Sequence, residues 1–386
     1  MAHADLAAVV PTRRRLKREI MLHLPEQPDH AILGQTLAEF AAARGKHPQF
    51  FKKTYAHMMR TAEGIALPPI TRQHDDGGTV KFCLPVGDYN GKSLETESVI
   101  IPMLSYKGPS WFSLCISSQV GCRMACSFCE TARMGLLKNL SAAEIVQQRI
   151  VARELRLAQF AAENKPLERP RYCYFVDGIQ NIVFMGMGEP LDNFDNVTQA
   201  IRVLSDPSGL AFPMSQICVS TVGRIDGLNK LAALNWPNLR IAISLNAPND
   251  KLRDELMPIN KGMPLKDLQR TLIEYPMSPR GRYMIEYVLI KGVNDSLADA
   301  EAVADFCRPL RCIVNLIPYN PQRGASFETP AHETVLAFME RLKSHKIFTK
   351  RRITKGRDLM SACGQLGNPE VRRQKPNPRL PVLPTV

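Results

Sequence analysis

Residues 113–129 read Ser-Leu-Cys-Ile-Ser-Ser-Gln-Val-Gly-Cys-Arg-Met-Ala-Cys-Ser-Phe-Cys. The opening half, SLCISS at 113–118, predicts a strand. The closing half puts Cys122, Cys126 and Cys129 in one loop at C-x3-C-x2-C spacing. Short spacing lets three thiolates converge on one small metal centre. A closed structural zinc site takes four N or S ligands, and no histidine stands beside these three. A [4Fe–4S] cluster takes four cysteines, so three leave one iron open to an exogenous ligand. A zinc site with a distant fourth ligand and a set of buried thiols are the other readings of the same spacing.

Downstream the chain alternates. Strands are predicted at 181–187, 216–222, 239–245, 282–290 and 312–318. Helices are predicted at 141–160, 194–206, 225–234, 264–275, 296–308 and 332–345. The first of these helices opens on Ser141 with Glu144 completing a capping box. Six βα units in series imply a parallel sheet, and right-handed crossovers curl it into a full or partial barrel. Reactive residues of such a barrel lie at the C-terminal ends of its strands, where the cysteine loop falls.

The flanks read differently. Residues 1–75 are basic and helical, with apolar residues at helical spacing in 33–45 and 50–64 and a basic run at Arg13, Arg14, Arg15, Lys17 and Arg18. That run reads as a polyanion-contacting arm or as a solvated face. Residues 76–111 form a β-rich connecting segment, 112–346 the barrel, and 347–366 a C-terminal strand and cysteine loop. Residues 367–386 are proline-rich and are expected to be an extended, disordered tail.

Composition limits the partners. The chain has 386 residues, 45% hydrophobic and 23% charged, as ordinary globular proteins have. No window approaches the roughly 18 apolar residues of a membrane span, and the N-terminus reads as no secretory signal. The expected location is therefore the cytoplasm. The net charge of +13 attracts polyanions, nucleic acid first; a generally basic surface is the plainer reading. Ten cysteines are too sparse for a disulfide scaffold.

A second motif, Gly186-Met187-Gly188-Glu189-Pro190, directly follows a predicted strand. Its glycines permit close backbone approach to a ligand, and Glu189 can accept hydrogen bonds from an ammonium group. Alone it would also suit a strand-to-helix turn. Together with C-x3-C-x2-C and the aromatic Phe128 before the last cysteine, it resembles the radical S-adenosylmethionine (SAM) enzymes. The words LCISSQVGC, GMGEPLDN, NLIPYNP and SACGQL narrow this to a resemblance to the RlmN/Cfr family of RNA adenine methyltransferases, from about residue 30 to 367.

The resemblance implies a partial (β/α)6 radical SAM barrel with a small helical N-terminal domain and a C-terminal catalytic loop. It implies a [4Fe–4S] cluster on Cys122, Cys126 and Cys129, with SAM on the open iron. It implies SAM contacts at Gly188, Glu189, Ser220, Ser244, Leu245, Asn246 and Asn320. Cys363 would carry a methyl group, Cys115 would remove a proton and resolve the enzyme–RNA thioether through a Cys115–Cys363 disulfide, and Glu97 would accept a proton. The basic stretch Lys350, Arg351, Arg352, Lys355 and Arg357 would hold RNA and help activate Cys363. Implied partners are 23S rRNA, transfer RNA and a one-electron donor such as flavodoxin or ferredoxin, and the chain would act as a monomer. Pro190 favours the C2-methylating branch over C8; a diverged paralogue with another RNA target is a further alternative. A non-catalytic RNA-binding protein would not need Cys115 and Cys363. The chain departs from the family at Asn246, where a histidine is usual, and over 157–180, which is longer than usual. Cys83, Cys173, Cys218, Cys307 and Cys312 are read as structural.

Overall fold

The computed structural model describes residues 29–76, 78–103, 111–164, 175–322, 324, 326–352, 364–368 and 370–372. The basic run at 13–18, Cys173, Lys355, Arg357 and Cys363 lie outside the described residues.

A ten-stranded sheet organises the chain. Strands β1 (Arg72–Asp76), β2 (Thr79–Tyr89), β3 (Lys92–Met103) and β4 (Trp111–Cys115) form an antiparallel meander. Two short strands, β5 (Gln119–Val120) and β6 (Lys138–Asn139), pair apart from it and flank the cysteine loop. The sheet continues through β7 (Ile179–Phe184), β8 (Ile217–Thr221), β9 (Arg240–Ser244), β10 (Tyr283–Leu289), β11 (Cys312–Pro318) and β12 (Thr349–Arg351). From β4 onward every neighbouring pair is parallel. The order runs β1-β2-β3-β4-β7-β8-β9-β10-β11-β12, so β1 and β12 are the two edges and the barrel is partial.

The helices are α1 (Leu37–Ala42), α2 (Pro48–Thr61), α3 (Glu130–Arg133), α4 (Ala142–Ala162), α5 (Phe194–Ser205), α6 (Ile225–Ala233), α7 (Asp250–Leu256), α8 (Leu265–Glu274), α9 (Leu297–Cys307) and α10 (His332–Ser344). The six helices expected between barrel strands are α4, α5, α6, α8, α9 and α10. Ser141 caps α4, and both halves of its capping box with Glu144 are made. The helix α7, in the β9–β10 connection, carries no long apolar face and was not expected. β4 stops at Cys115 and β7 at Phe184, each three residues before its expected end. The reason is a loop-to-loop contact: Ser117 Oγ donates to the Glu97 carbonyl and accepts from Met187 N–H, which takes both segments off the ladder.

The core between sheet and helices is continuous with the N-terminal region. Ile32 and Leu33 are fully buried, and their single turn packs on α4. Phe40, Phe51 and Tyr55 cluster, and the Tyr55 hydroxyl donates to the Gln35 carbonyl at 2.7 Å. Arg60 reaches the Gly209 carbonyl at 3.0 Å, pinning α2 to the loop after α5. At the other terminus, Leu366 and Val371 are buried in the same core. Packing thus runs past the expected start of the tail at 367.

Candidate functional site

The strands deliver their C-terminal ends to one cavity of about 160 Å³. Cys122, Cys126 and Cys129 form one wall; Ser220 and Ser244 come from the C-terminal ends of β8 and β9, and Gly188, Glu189 and Asn246 from the loops after β7 and β9. Gly364 also lines the cavity. The cysteine loop is held by backbone bonds: Cys122 N–H to Gly135 O, Ser127 N–H to Leu256 O and Cys129 N–H to Cys126 O. Gly121 sits at φ +74°, and a side chain there would overlap the Gly135 carbonyl at 1.8 Å.

The three thiols are sunk among Met124, Phe128, Leu256, Met257 and Ile290. Burial pushes all three thiols above their ordinary range, and Cys122 and Cys129 both oppose ionisation of Cys126. As thiols they are inert, so three thiolates there require a bound cation to hold the charge. Arg253 supplies part of that field, since its charge favours the Cys126 thiolate.

Glu189 is 2% exposed. Its carboxylate accepts from Leu191 N–H at 3.0 Å and Val222 N–H at 2.9 Å. Burial raises its pKa to about 7, against the opposing pull of these hydrogen bonds and of Arg224. A carboxylate has about four acceptor positions, so room is left for an ammonium donor. Gly186 and Gly188 serve a different contact from the one expected. A side chain on Gly186 would meet the Ile116 carbonyl at 2.6 Å, and one on Gly188 would meet Gln119 at 2.5 Å. The glycines let the β7 loop lie against the β4 loop, and the ligand-facing wall follows from that. Gly364 is needed for its φ of +82°, since a side chain there would meet nothing nearer than 3.5 Å.

Asn246 stands at φ +56°, a left-handed conformation that asparagine adopts readily. Its amide oxygen accepts from Val288 N–H at 2.9 Å, and its amide nitrogen points to Met257 Sδ at 3.4 Å. Asn294 donates to its carbonyl at 2.8 Å. The amide therefore ties the loop after β9 to strand β10 while still lining the cavity. Leu245 is fully buried in the main core, and Asn320 is buried beside Tyr319; neither side chain lines the cavity.

Cys115 ends β4 opposite Val99 and Val183. Glu97 lies two residues before Val99 on β3, on the same face, where diagonal neighbours stand roughly 7–8 Å apart. Glu97 is buried, ion-paired to Lys81 at 2.7 Å, and its carboxylate accepts from Gly367 N–H at 3.2 Å. The segment 364–367 is laced to the cysteine loop. Glu130 N–H donates to Gly364 O at 2.9 Å, and Thr131 Oγ donates to Leu366 O at 2.6 Å. Cys363 lies outside the described residues, and the Cys115–Cys363 disulfide with it. Of the basic stretch, Arg352 turns into the cavity, 3.5 Å from Glu286.

Sequence reading missed Arg253. It is completely buried on α7. Its guanidinium donates to the carbonyls of Leu245 (3.1 Å), Val222 (2.5 Å) and Ser244 (3.3 Å) and to Asn260 Oδ1 at 2.7 Å. It thereby clamps the loops after β8 and β9 that carry the cavity wall. No sequence motif marks it, because its acceptors are three backbone carbonyls and one amide that only the folded loops bring around it.

A partial parallel barrel with a thiol-lined cavity at its C-terminal face defines a radical SAM enzyme, and the radical SAM superfamily pattern matches residues 116–307. The chain is 42% identical over 308 residues to "Probable dual-specificity RNA methyltransferase RlmN 1" of Protochlamydia amoebophila, covering 80% of this chain and 78% of that one. It is 41% identical over 302 residues to "Dual-specificity RNA methyltransferase RlmN" of Syntrophobacter fumaroxidans, covering 78% and 80%. Among solved structures it is similar to a radical SAM methyltransferase from Sphaerobacter thermophilus, at 33% identity and a TM-score of 0.73, over 86% of this chain and 98% of that one. The chain belongs to the RlmN family of radical SAM enzymes. Membership carries a [4Fe–4S] cluster and SAM as cofactors. The residues present fit them: three thiols that need a cation, and a buried carboxylate with acceptor positions to spare. No helix among the described residues is long and apolar enough to cross a membrane.

Proposed function

We propose that this chain methylates C2 of a specific adenine in 23S rRNA, at the peptidyl transferase centre, and an adenine in transfer RNA. One observation carries the reading: a single cavity gathers Cys122, Cys126, Cys129, Glu189 and Gly364, the residue after Cys363. The names of the relatives support RNA as the substrate. The choice of C2 rests on Pro190 and on the resemblance of GMGEPLDN.

Cys122, Cys126 and Cys129 would hold the cluster; Glu189 would receive the SAM amino group, with Gly188, Ser220, Ser244 and Asn246 around it. Leu245 and Asn320 would contribute backbone or neighbouring contacts. When bound, the cluster and SAM supply a transferable methyl group and a one-electron route to a radical. The chain's own residues then divide the work. Cys363 takes up the methyl group, an arrangement suited to C2 of adenine, which is not nucleophilic enough for direct displacement. Arg352, paired with Glu286 at the cavity wall, places positive charge beside the C-terminal segment. Cys115 removes the proton and resolves the thioether, and Glu97 accepts a proton next to the strand that carries it. The buried apolar wall excludes water from these steps. The target base is extruded from its RNA surroundings to reach such a cavity. The N-terminal helices serve RNA recognition, the electron donor is a flavodoxin or ferredoxin, and the chain works as a cytoplasmic monomer.

The test is anaerobic reconstitution with iron, sulfide, SAM and reductant on an unmodified 23S rRNA fragment, followed by nucleoside analysis. Wild type is expected to give 2-methyladenosine. Cys363→Ala is expected to give none while still cleaving SAM. 8-Methyladenosine would overturn the C2 assignment, and methylation by Cys363→Ala would overturn the role of that thiol.

A further inference from the structure

The opposite end of the same strands carries an open cavity of about 760 Å³. Three separate stretches build it: 279–282 before β10, 308–312 before β11 and 345–348 before β12. Arg280, Arg282, Arg308, Arg311 and Lys346 line it, with His345 half-buried among them. Among the described residues no Asp or Glu lines this cavity. Arg311 is fixed by the backbone, donating to the carbonyls of Pro279 and Ser278. Arg308 pairs with Asp305 on its own helix, outside the lining. Arg280, Arg282 and Lys346 face the space with no carboxylate in ion-pair reach among the described residues. Lys346 is held at φ +62° by the turn that ends α10.

Five formal positive charges around one concavity repel each other, and an anion in the space relieves that repulsion. Phe348 adds a second feature. The residue is 54% exposed at the rim, with Lys350 Nζ 5.5 Å from its ring centre. Inorganic phosphate has no use for an exposed ring. A strand of nucleic acid does, because a base stacks on the ring while the phosphates meet the guanidinium groups. Parallel strands rise about 3.3 Å per residue, which places this cavity roughly 15–20 Å along the strand axis from the thiol-lined one.

We propose that the Arg280–Arg282–Arg311–Lys346 cavity, with Phe348 at its rim, is a second RNA contact that binds backbone phosphates and one stacked base of a segment remote from the target adenine. The inference rests on the RNA reading above. It makes a definite geometric demand: only an RNA long enough to run from one end of the barrel to the other can engage both sites.

The experiment uses the full-length reconstituted enzyme and two RNAs, a long unmodified 23S rRNA fragment and a short hairpin holding only the target adenine. The variants are Arg280→Gln/Arg282→Gln/Lys346→Gln together, and Phe348→Ala. SAM cleavage without RNA and thermal melting check that each variant is folded and loaded. On the long RNA the triple variant is expected to raise KM about tenfold with kcat retained. Its binding should show a slope of log K against log salt shallower by about 2, near 0.7 for each phosphate left without its cation. Phe348→Ala is expected to weaken binding by about 5-fold or more without changing that slope. The short hairpin should bind and react equally with all three proteins. If wild type methylates the long RNA and the triple variant keeps its KM and salt slope, this proposal alone falls. If the short hairpin weakens as much as the long RNA, the charges act at long range and the second RNA site is overturned. Pyrophosphate titrated calorimetrically distinguishes the remaining source: binding abolished in the triple variant with RNA behaviour unchanged makes this a small-anion site and overturns the RNA assignment. If wild type neither binds nor methylates RNA, the functional reading fails and this proposal with it.

Discussion

The two ends of the parallel sheet treat charge in opposite ways. At the C-terminal ends the charges near the cavity are held by partners: Arg253 by three carbonyls and Asn260, Glu189 by two backbone N–H groups, Arg352 beside Glu286. At the N-terminal ends cationic side chains stand together with no carboxylate lining their cavity among the described residues. The difference follows from solvent. A charge sealed in an apolar wall is costly unless it is bonded in place. A charge in water is cheap to leave unpaired, and it stays available to an external anion. One end is thus built for precise placement, the other for electrostatic capture.

The largest effect expected from breaking this contrast is at Cys126. Cys126→Ala should reduce iron and sulfide loading to background and abolish RNA methylation, read by metal analysis and nucleoside mass spectrometry. A normally loaded, active variant would remove Cys126 from the ligand set.

Next comes a direct comparison of two arginines by urea denaturation. Arg253→Met leaves several buried acceptors unpaired and should cost on the order of 3–5 kcal/mol. Arg280→Gln, on the open face, should stay within about 0.5 kcal/mol of wild type. Equal costs would show that the two ends do not differ in this way.

The smallest effect is a pH dependence at Glu189, measured as the melting temperature of the ligand-free protein. Burial raises this carboxyl from an ordinary 4.5 to about 7 in the folded chain. Between those values the folded state keeps a proton that the unfolded state has released. Its contribution to stability is therefore fully present below about 4.5 and is lost as pH rises through 7. Glu189→Gln does not titrate, so its melting temperature relative to wild type should climb by a few degrees across that window and then level off. A difference independent of pH would mean that the buried group is ionised throughout.

Much of the barrel is legible in residue order because each βα unit writes its own pattern. Alternating and 3.6-residue apolar repeats located six strands and six helices to within a few residues. The cysteine loop is legible for the same reason: its ligands lie within eight consecutive residues. The places where reading failed share a cause. β4 and β7 end early because Ser117 and the Gly186–Gly188 loop bind each other across about seventy residues of chain. The helix α7 is short and polar, so no periodicity announces it, yet it carries the arginine that clamps the cavity. Asn246 reads in sequence as a weakened ligand position; its side chain instead bonds the neighbouring strand β10 from a backbone conformation that suits asparagine.

The sequence by itself determined the order of strands and helices, the three-thiol loop and the GMGEP turn, because those depend on residues close together in the chain. Only the tertiary structure decided which glycines are forced by backbone contact, which arginine clamps the cavity wall, and that residues near 280, 310 and 346 meet in one basic concavity. Those facts depend on the parallel register that sets Tyr283 beside Cys312 and Val314 beside Thr349. Register is a property of packed strands, and no single stretch of sequence contains it.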